Sequence, residues 1–324
     1  MKRREIIMLL GGAAAWPLAA RAQQPTIPVI GFLGSRGPSE DPHLLVAWSR
    51  GLKEGGYVER QNVAIEYRFA ENRYDRLPEL AADLVRRRVD VIAANGPAAQ
   101  AAKAAPATIP IVFVTGGDPV EIGLVASLNR PGGNITGVSI LDVELGAKRL
   151  ELLHELVPTA TIIAILVPSD RARSELISKN LQGAVRTLGL QPHILHASND
   201  RDLAAVFTRL VELRAGGLVI GGDAFFNSRA RQLGVLSIRH AMPAAFQFRA
   251  FAEAGGLMSY GADLADSYYQ AGIYTSRILK GEKPADLPVQ LATKVELIIN
   301  LNTAKALGLT VSLPLAGRAD ELIE

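Results

Sequence analysis

The spacing of apolar positions changes in a regular way from residue 28 onward. A short apolar run at residues 29–33 is bounded by glycine and proline, and Leu44, Trp48 and Leu52 then follow at helical spacing until glycines end the pattern. Residues 62–69 alternate apolar and polar side chains, which indicates a strand with one wetter face near a sheet edge. Strands separated by helices in this way predict right-handed βαβ units and a parallel sheet.

A second lobe is predicted to begin near the middle of the chain. The apolar strand 111–114 ends in Thr-Gly-Gly-Asp-Pro (115–119), which predicts a strand-to-helix turn whose glycines let backbone N–H groups point outward. The strand 135–139 leads to Asp142, a candidate N-cap of a long helix, after which strands and helices alternate again. We therefore interpret residues 139–142 as a crossing between two lobes.

The second half of the chain repeats this scheme and predicts two further crossings, one within residues 256–263 and one near residues 287–293. The expected strands are 162–167, 191–196, 218–220, 244–246 and 295–300. The predicted fold is α/β, with two Rossmann-like lobes whose parallel sheets are joined by three crossing strands. The lobe assignments are 28–139 plus 262–290 for the N-terminal lobe and 140–261 plus 291–315 for the C-terminal lobe.

The turns at the carboxyl ends of the predicted strands are candidates for a binding site. Ligands of open α/β sheets bind at that edge, because the following helices present unpaired N–H groups and positive dipole ends. No residue is predicted to be catalytic or to bind a metal. The residues expected to contact a small-molecule ligand are Ser35, Arg36, Asn95, Pro97, Ala98, Thr115, Asp118, Ser139, Ser169, Asp223, Phe225 and Tyr260.

Some residues of these turns admit more than one role. Asp118 and Asp223 follow glycines at strand ends, so each either caps the next helix or contacts a ligand, or the two form an acid–base pair across the cleft. The aromatic residues near strand ends either line the cleft or belong to the core, namely Phe225, Phe226 and Tyr260. Three tyrosines along a predicted helix are assigned to packing, namely Tyr268, Tyr269 and Tyr274.

The first 22 residues have the order of an export signal. A basic start precedes an apolar stretch at residues 6–20, and Ala20-Arg21-Ala22 fits a cleavage site, so the mature chain is expected to begin at Gln23 in the periplasm. The pair Arg3-Arg4 fits a twin-arginine signal, and the Sec route stays open as the alternative. The apolar stretch is too short and too rich in glycine for a membrane anchor, which needs about 20 apolar residues.

Removal of this segment makes the chain formally neutral. The basic count falls from 35 to 31 and the acidic count from 32 to 31, because residues 1–22 hold Lys2, Arg3, Arg4 and Arg21 against Glu5. No nucleic-acid partner is therefore expected. The absence of cysteine excludes disulfides, thiolate metal sites and a lipid on an N-terminal cysteine. The mature protein is expected to be a soluble monomer.

The chain lacks the usual signatures of catalysis and cofactor binding. His193 and His196 are three positions apart in a predicted strand, which places them on opposite faces, and His154-Glu155 lacks the second histidine of a zinc helix. The sequence contains no G-x-S-x-G elbow, no phosphate-binding loop and no G-x-G-x-x-G after its first strand. No cofactor is expected.

Several motifs are long enough to be specific for a protein family. They are Val-Ile-Gly-Phe-Leu-Gly-Ser (29–35), Tyr-Asp-Arg-Leu-Pro-Glu-Leu-Ala (74–81), Ile-Pro-Ile-Val-Phe-Val-Thr-Gly-Gly-Asp-Pro-Val (109–120), Asn-Arg-Pro-Gly-Gly-Asn-Ile-Thr-Gly-Val (129–138), Lys-Arg-Leu-Glu-Leu-Leu-His-Glu-Leu-Val-Pro (148–158) and Tyr-Gly-Ala-Asp (260–263). Over residues 28–310 the chain resembles the ABC-transporter substrate-binding family that includes tryptophan- and tyrosine-binding members. It departs from the usual family pattern at Asn95 and at Pro168-Ser169-Asp170.

This resemblance implies a type I periplasmic-binding-protein fold and a periplasmic receptor that delivers a small molecule to an inner-membrane ABC permease. The turns at positive helix ends suit a carboxylate, whereas Asp118 and Asp223 suit an ammonium, so the expected ligand is an amino acid or a similar zwitterion. The alternative is an exported two-lobed α/β enzyme acting on a small polar substrate. A sensory or regulatory ligand-binding domain is a third alternative, disfavoured because no DNA-binding helices precede the first strand.

Overall fold

The computed structural model describes residues 27–39, 42–105, 109–140 and 142–324. The predicted export signal at residues 1–22 lies outside the described residues. The helix predicted after the first crossing begins at Asp142, as expected, but residue 141 and the side chain of Asp142 are not described, so the capping role of Asp142 stays a prediction.

Strands and helices alternate through most of the chain. The strands are β1 (Val29–Gly34), β2 (Ala64–Phe69), β3 (Val91–Asn95), β4 (Ile111–Thr115), β5 (Ile135–Ser139), β6 (Ile162–Pro168), β7 (Gln191–Ala197), β8 (Gly217–Ile220), β9 (Ala244–Phe246), β10 (Met258–Ala262), β11 (Gln290–Leu291), β12 (Val295–Asn300) and β13 (Glu321–Ile323). The helices are α1 (Pro42–Glu54), α2 (Leu77–Arg86), α3 (Pro97–Ala104), α4 (Asp142–Leu156), α5 (Arg171–Thr187), α6 (Asp200–Glu212), α7 (Ala224–Ser228), α8 (Ala230–Arg239), α9 (Arg249–Glu253), α10 (Leu264–Leu279), α11 (Leu301–Ala306) and α12 (Leu313–Ala316).

The strands form two sheets, one in each lobe. The first has the order β11-β5-β4-β3-β1-β2 and the second the order β13-β12-β10-β9-β8-β6-β7. The chain passes from one sheet to the other three times, after β5, after β10 and after β11. This arrangement confirms the predicted α/β fold with three crossings.

Two strands of the second sheet, β12 and β13, run against the expected parallel direction. β10 and β12 pair antiparallel, with Met258 opposite Ile299 and Ala262 opposite Val295. β12 enters the second lobe directly from the third crossing, next to the point where β10 leaves it, so the two strands run in opposite directions. The pattern also did not predict β13, which pairs parallel with β12 and is only three residues long.

The turn after β4 differs from the predicted strand-to-helix turn. Residues 118–128 form a series of turns and bends instead of a helix. The Asp118 carboxylate accepts hydrogen bonds from Val120 N at 2.7 Å and Glu121 N at 3.3 Å, so it caps a turn. The positive φ of Gly123, 71°, ends the local helical geometry.

Both faces of each sheet are covered by helices and carry apolar cores. In the first lobe, one core joins Phe32 and Trp48 to α1 and α10, and the other places α2 and α3 against the opposite face. α10 therefore packs on the first lobe although it directly follows a strand of the second. Among the described residues, no helix has the length and apolar character needed to cross a bilayer.

Candidate ligand-binding site

A cavity of about 210 Å³ lies between the two lobes, at the carboxyl ends of their strands. The first lobe contributes residues that follow β1, β3 and β4, together with the first turns of α10. The second lobe contributes residues of α4 and α5 and residues that follow β8 and β9. The cavity is smaller than the roughly 300–1,000 Å³ of pockets for drug-sized molecules, so its size suits a small ligand.

Half of the residues predicted to contact a ligand line this cavity. They are Ser35, Arg36, Asn95, Pro97, Thr115 and Asp223. All of them stand at the carboxyl end of a strand or within three residues after it, which is the position that the sheet rule identified. Gly96, which precedes Pro97, has a positive φ of 47° that allows the sharp turn from β3 into α3.

The other predicted residues lie elsewhere. Ala98 is fully buried in the first-lobe core, and the Ser139 hydroxyl, also fully buried, donates to Gly117 O at 3.3 Å. Asp118 accepts a hydrogen bond from a backbone N–H of its own turn and does not line the cavity. Ser169 is exposed in the turn after β6.

Two aromatic residues that were predicted to contact the ligand, Phe225 and Tyr260, pack against other side chains instead. The Phe225 ring contacts the Phe226 ring, with centroids 5.5 Å apart, and the Arg229 guanidinium lies over the face of the Phe225 ring. Tyr260 packs against the second-lobe core. Its contribution to the cavity is indirect, because its backbone carbonyl accepts a hydrogen bond from Arg149 Nε at 2.9 Å.

Arg149 lines the cavity and was not anticipated from the sequence. Its side chain is only 1% exposed, and it stands on α4 with Gly146 one turn earlier on the same cavity-facing side. A cation next to the buried Leu150 and Leu153, within the motif 148–158, is the signal that could have identified it. Its place in the cavity wall makes Arg149 a candidate ligand contact.

Asp223 combines two of its predicted roles. Its Oδ1 accepts a hydrogen bond from Phe225 N at 2.9 Å, which caps α7, and the residue is 7% exposed and lines the cavity. Beside it, Gln247 Nε2 donates to Asn227 Oδ1 at 2.7 Å, and both amides also line the cavity. The second-lobe wall thus offers a carboxylate and two amides.

Tyr268 also lines the cavity, although the sequence pattern assigned it to packing alone. It stands one turn after Leu264 on α10, and both side chains reach the cavity. Asn95 Nδ2 donates to the Tyr268 hydroxyl at 2.6 Å, which ties α10 to the end of β3. The remaining wall is largely apolar, formed by Val114, Ile122, Ile140, Ile177, Leu181 and Phe248.

Among the described residues, the cavity lining therefore combines two arginines and one carboxylate with several amides and hydroxyls, set into an apolar wall. Such a lining can hold a small molecule that carries an anionic group, a cationic group and an apolar part. Within the part of the chain that the structure describes, no group of three or more histidine, aspartate and glutamate side chains is arranged to hold a metal ion.

Comparisons with known proteins identify relatives that are similar in sequence and in fold. A tyrosine-binding protein of Clostridioides difficile (strain R20291) is 28% identical over 260 residues, which cover 80% of this chain and 74% of that protein. A crystal structure of a conserved domain protein from Vibrio cholerae superposes with a TM-score of 0.84 at 26% identity, covering 91% of this chain and 99% of the other.

A second solved structure, an ABC domain in complex with L-Trp from Streptococcus pneumoniae, gives a TM-score of 0.83 at 25% identity, with the same coverage of 91% and 99%. The sequence profile of one family, described as ABC transporter substrate binding protein, matches residues 45–323. Since that match covers most of the chain and includes strands of both lobes, this chain belongs to the ABC transporter substrate-binding protein family.

Proposed function

We propose that this protein is the solute receptor of an ABC importer and that it binds an amino acid, or a similar zwitterion, in the cavity between its lobes. The observation that carries the proposal is the set of charged residues lining the cavity. In the part of the chain that the structure describes, these are the arginines Arg36 and Arg149 and the carboxylate of Asp223, each at most 7% exposed. The receptor would act as a monomer and pass its ligand to an inner-membrane permease.

The charges and the apolar wall together match the parts of an amino acid. Guanidinium groups form the strongest hydrogen bonds to carboxylates, and Asp223 offers a partner for an ammonium. The apolar wall suits a hydrophobic side chain. An aromatic side chain is supported by the relatives, one named as a tyrosine-binding protein and one solved in complex with L-Trp.

The positions of the two residues of the predicted acid–base pair support binding without catalysis. An enzyme of the alternative kind would use Asp118 and Asp223 together, but Asp118 does not line the cavity and its carboxylate caps a turn. The two carboxylates are therefore not brought together at the cavity that Asp223 lines.

Native mass spectrometry of protein purified without refolding tests the proposal, followed by calorimetry with L-tryptophan, L-tyrosine, L-phenylalanine and L-leucine. We expect one amino acid bound per chain and recovered chemically unchanged. Recovery of an altered molecule would indicate an enzyme, and failure of every amino acid to bind would contradict the proposed ligand class.

We further propose that the chain is exported and that its mature form begins at Gln23. The basic and then apolar order of residues 1–22 supports this proposal. Replacing Arg3 and Arg4 by lysine should retain the precursor in the cytoplasm if the twin-arginine route is used. Normal export of that double variant would leave the Sec route.

A further inference from the structure

The hydrogen bonds at the first-lobe wall of the cavity have a fixed direction. Ser35 N donates to Asn95 Oδ1 at 2.8 Å, and the Ser35 hydroxyl donates to the same oxygen at 3.0 Å. A backbone N–H can only donate, so the amide oxygen of Asn95 must face Ser35. The amide nitrogen of Asn95 therefore faces the other way, toward Tyr268.

This direction determines what the Tyr268 hydroxyl can do. Asn95 Nδ2 donates to it at 2.6 Å, so the tyrosine oxygen is the acceptor in this bond and its own proton must point elsewhere. Among the residues that the structure describes, none accepts that proton. Tyr268 is 4% exposed and lines the cavity, so a bound ligand can supply the missing acceptor.

The surroundings of Tyr268 indicate the chemistry of that acceptor. Arg36, Asn95 and Tyr268 line the main cavity together, and the same three residues line a smaller adjoining pocket. The guanidinium of Arg36 favours an anion and repels an ammonium at this end of the site. The carboxylate of Asp223, which could attract an ammonium, belongs to the second lobe.

We propose that the Tyr268 hydroxyl donates a hydrogen bond to a carboxylate oxygen of the bound amino acid, beside Arg36, and that Asn95 is a positioning residue that sets this direction. The inference rests on the proposed function. It gives the ligand an orientation, with its carboxylate at the first lobe and its ammonium at the second.

The Tyr268→Phe variant tests the donor directly. A hydrogen bond to a charged group is among the stronger ones, so the dissociation constant for L-tryptophan or L-tyrosine, measured by calorimetry, should rise about tenfold to hundredfold. The matched control is Tyr274→Phe, which removes another hydroxyl of α10, one that donates to Pro288 O at 2.7 Å outside the cavity. The control should bind within about twofold of the parent.

The Asn95→Asp variant tests the direction of the bonds. A carboxylate at position 95 can still accept from Ser35, but it cannot donate to Tyr268, so the tyrosine proton would turn toward it and away from the ligand. Adding Tyr268→Phe to this variant should then change the affinity by less than about twofold. Asn227→Asp adds the same charge at the second-lobe wall, and in that background Tyr268→Phe should keep its full effect.

The outcomes separate the inference from the proposed function. If the parent binds L-tryptophan or L-tyrosine and Tyr268→Phe binds equally well, the hydroxyl is not a donor to the ligand. An equal penalty for Tyr268→Phe in the parent and in Asn95→Asp would show that Asn95 does not set the direction. If the parent binds no amino acid, the proposed function is wrong and the inference is wrong with it.

Discussion

Arg149, Arg36 and Asp223 are charged side chains in places where the protein excludes most water. Their exposed fractions are 1%, 7% and 7%. A buried charge is destabilising unless hydrogen bonds or an opposite charge compensate it, and Arg149 has such a bond to the Tyr260 carbonyl at 2.9 Å. All three line one cavity, where the proposed function gives them the role of contacting a ligand that carries both signs of charge.

Replacing Asp223 by asparagine separates its two roles. Asparagine caps a helix about as well as aspartate, so α7 should keep its N-cap and the stability of the protein should change little. If Asp223 also binds the ligand ammonium, calorimetry should show an affinity about tenfold to hundredfold lower. An affinity within about twofold of the parent would assign Asp223 to capping alone.

At the scale of elements, α10 depends on a close contact with α1. A Cβ atom placed on Gly272 would lie 2.2 Å from Trp48 O, and one on Gly51 would lie 2.1 Å from Tyr269 O. Two glycines thus let the backbones of the helices approach each other. This contact holds α10 on the first lobe, where it presents Tyr268 to the cavity.

Gly272→Ala should therefore destabilise the protein. Backbone atoms cannot give way as a flexible side chain can, so we expect the free energy of unfolding in urea to fall by about 1–3 kcal/mol or more. The matched control is Gly183→Ala on the exposed face of α5, where an added Cβ meets nothing within 4 Å. The control should be neutral or stabilised by up to about 1 kcal/mol, because alanine favours helix more than glycine does.

A second contact joins two of the crossings between the lobes. Asp263 follows β10 and caps α10, while Lys294 lies between β11 and β12, and its Nζ donates to Asp263 Oδ2 at 2.6 Å. Burial opposes ionisation of the Asp263 carboxyl, but the hydrogen bonds from Lys294 and from Asp266 N outweigh it and hold its pKa below the ordinary value of 3.8.

This shift predicts a pH-dependent effect of Lys294→Met. The pKa of Asp263 is lowered by folding, so the ion pair stabilises the folded state above the ordinary carboxyl pKa, and that stabilisation is lost as the pH falls through the folded-state pKa. Urea unfolding should thus show Lys294→Met less stable than the parent at neutral pH, with the difference disappearing in strong acid. A difference that did not change with pH would contradict this role.

The control for that experiment is Lys148→Met. Lys148 pairs with Glu151 at 2.8 Å on the surface of α4, where both side chains are about half exposed. Exposed pairs of this kind contribute about 0–1 kcal/mol, so this variant should differ little from the parent at either pH.

At the scale of the whole molecule, three crossings connect lobes that share one cavity. A ligand that contacts both walls favours the arrangement in which the walls are close, and it shifts the equilibrium toward that arrangement by its differential affinity. We expect the backbone to bend at the crossings near Ile140, Ala262 and Gln290, because the chain passes from one sheet to the other there.

Small-angle X-ray scattering of the purified protein should therefore show a smaller radius of gyration with its amino acid bound than without it. Calorimetry on the same samples provides the control that the ligand is bound. An unchanged radius of gyration at saturation would count against closure about these crossings.

The sequence pattern predicted most of the elements and only part of the site. The sequence pattern could identify residues at the carboxyl ends of parallel strands, because the end of a strand is a local feature. Among these residues are Ser35, Asn95, Thr115 and Asp223. Ala98 and Ser139 stand next to such ends but point into the protein. The sequence pattern could not distinguish a side chain that faces the cavity from one that points into the protein, because a shift of one residue in a turn changes the direction of a side chain.

The sequence alone determined the alternation of strands and helices, the two-lobed fold and the family, because the apolar spacing repeats along the chain and each long motif is a local feature. Only the tertiary structure decided that Tyr268 meets Asn95, 173 positions away, and that Arg149 faces the same cavity. These contacts depend on how the helices α4 and α10 pack across the crossings. Packing of this kind depends on the shapes of both lobes together, and a local sequence pattern carries no information about those shapes.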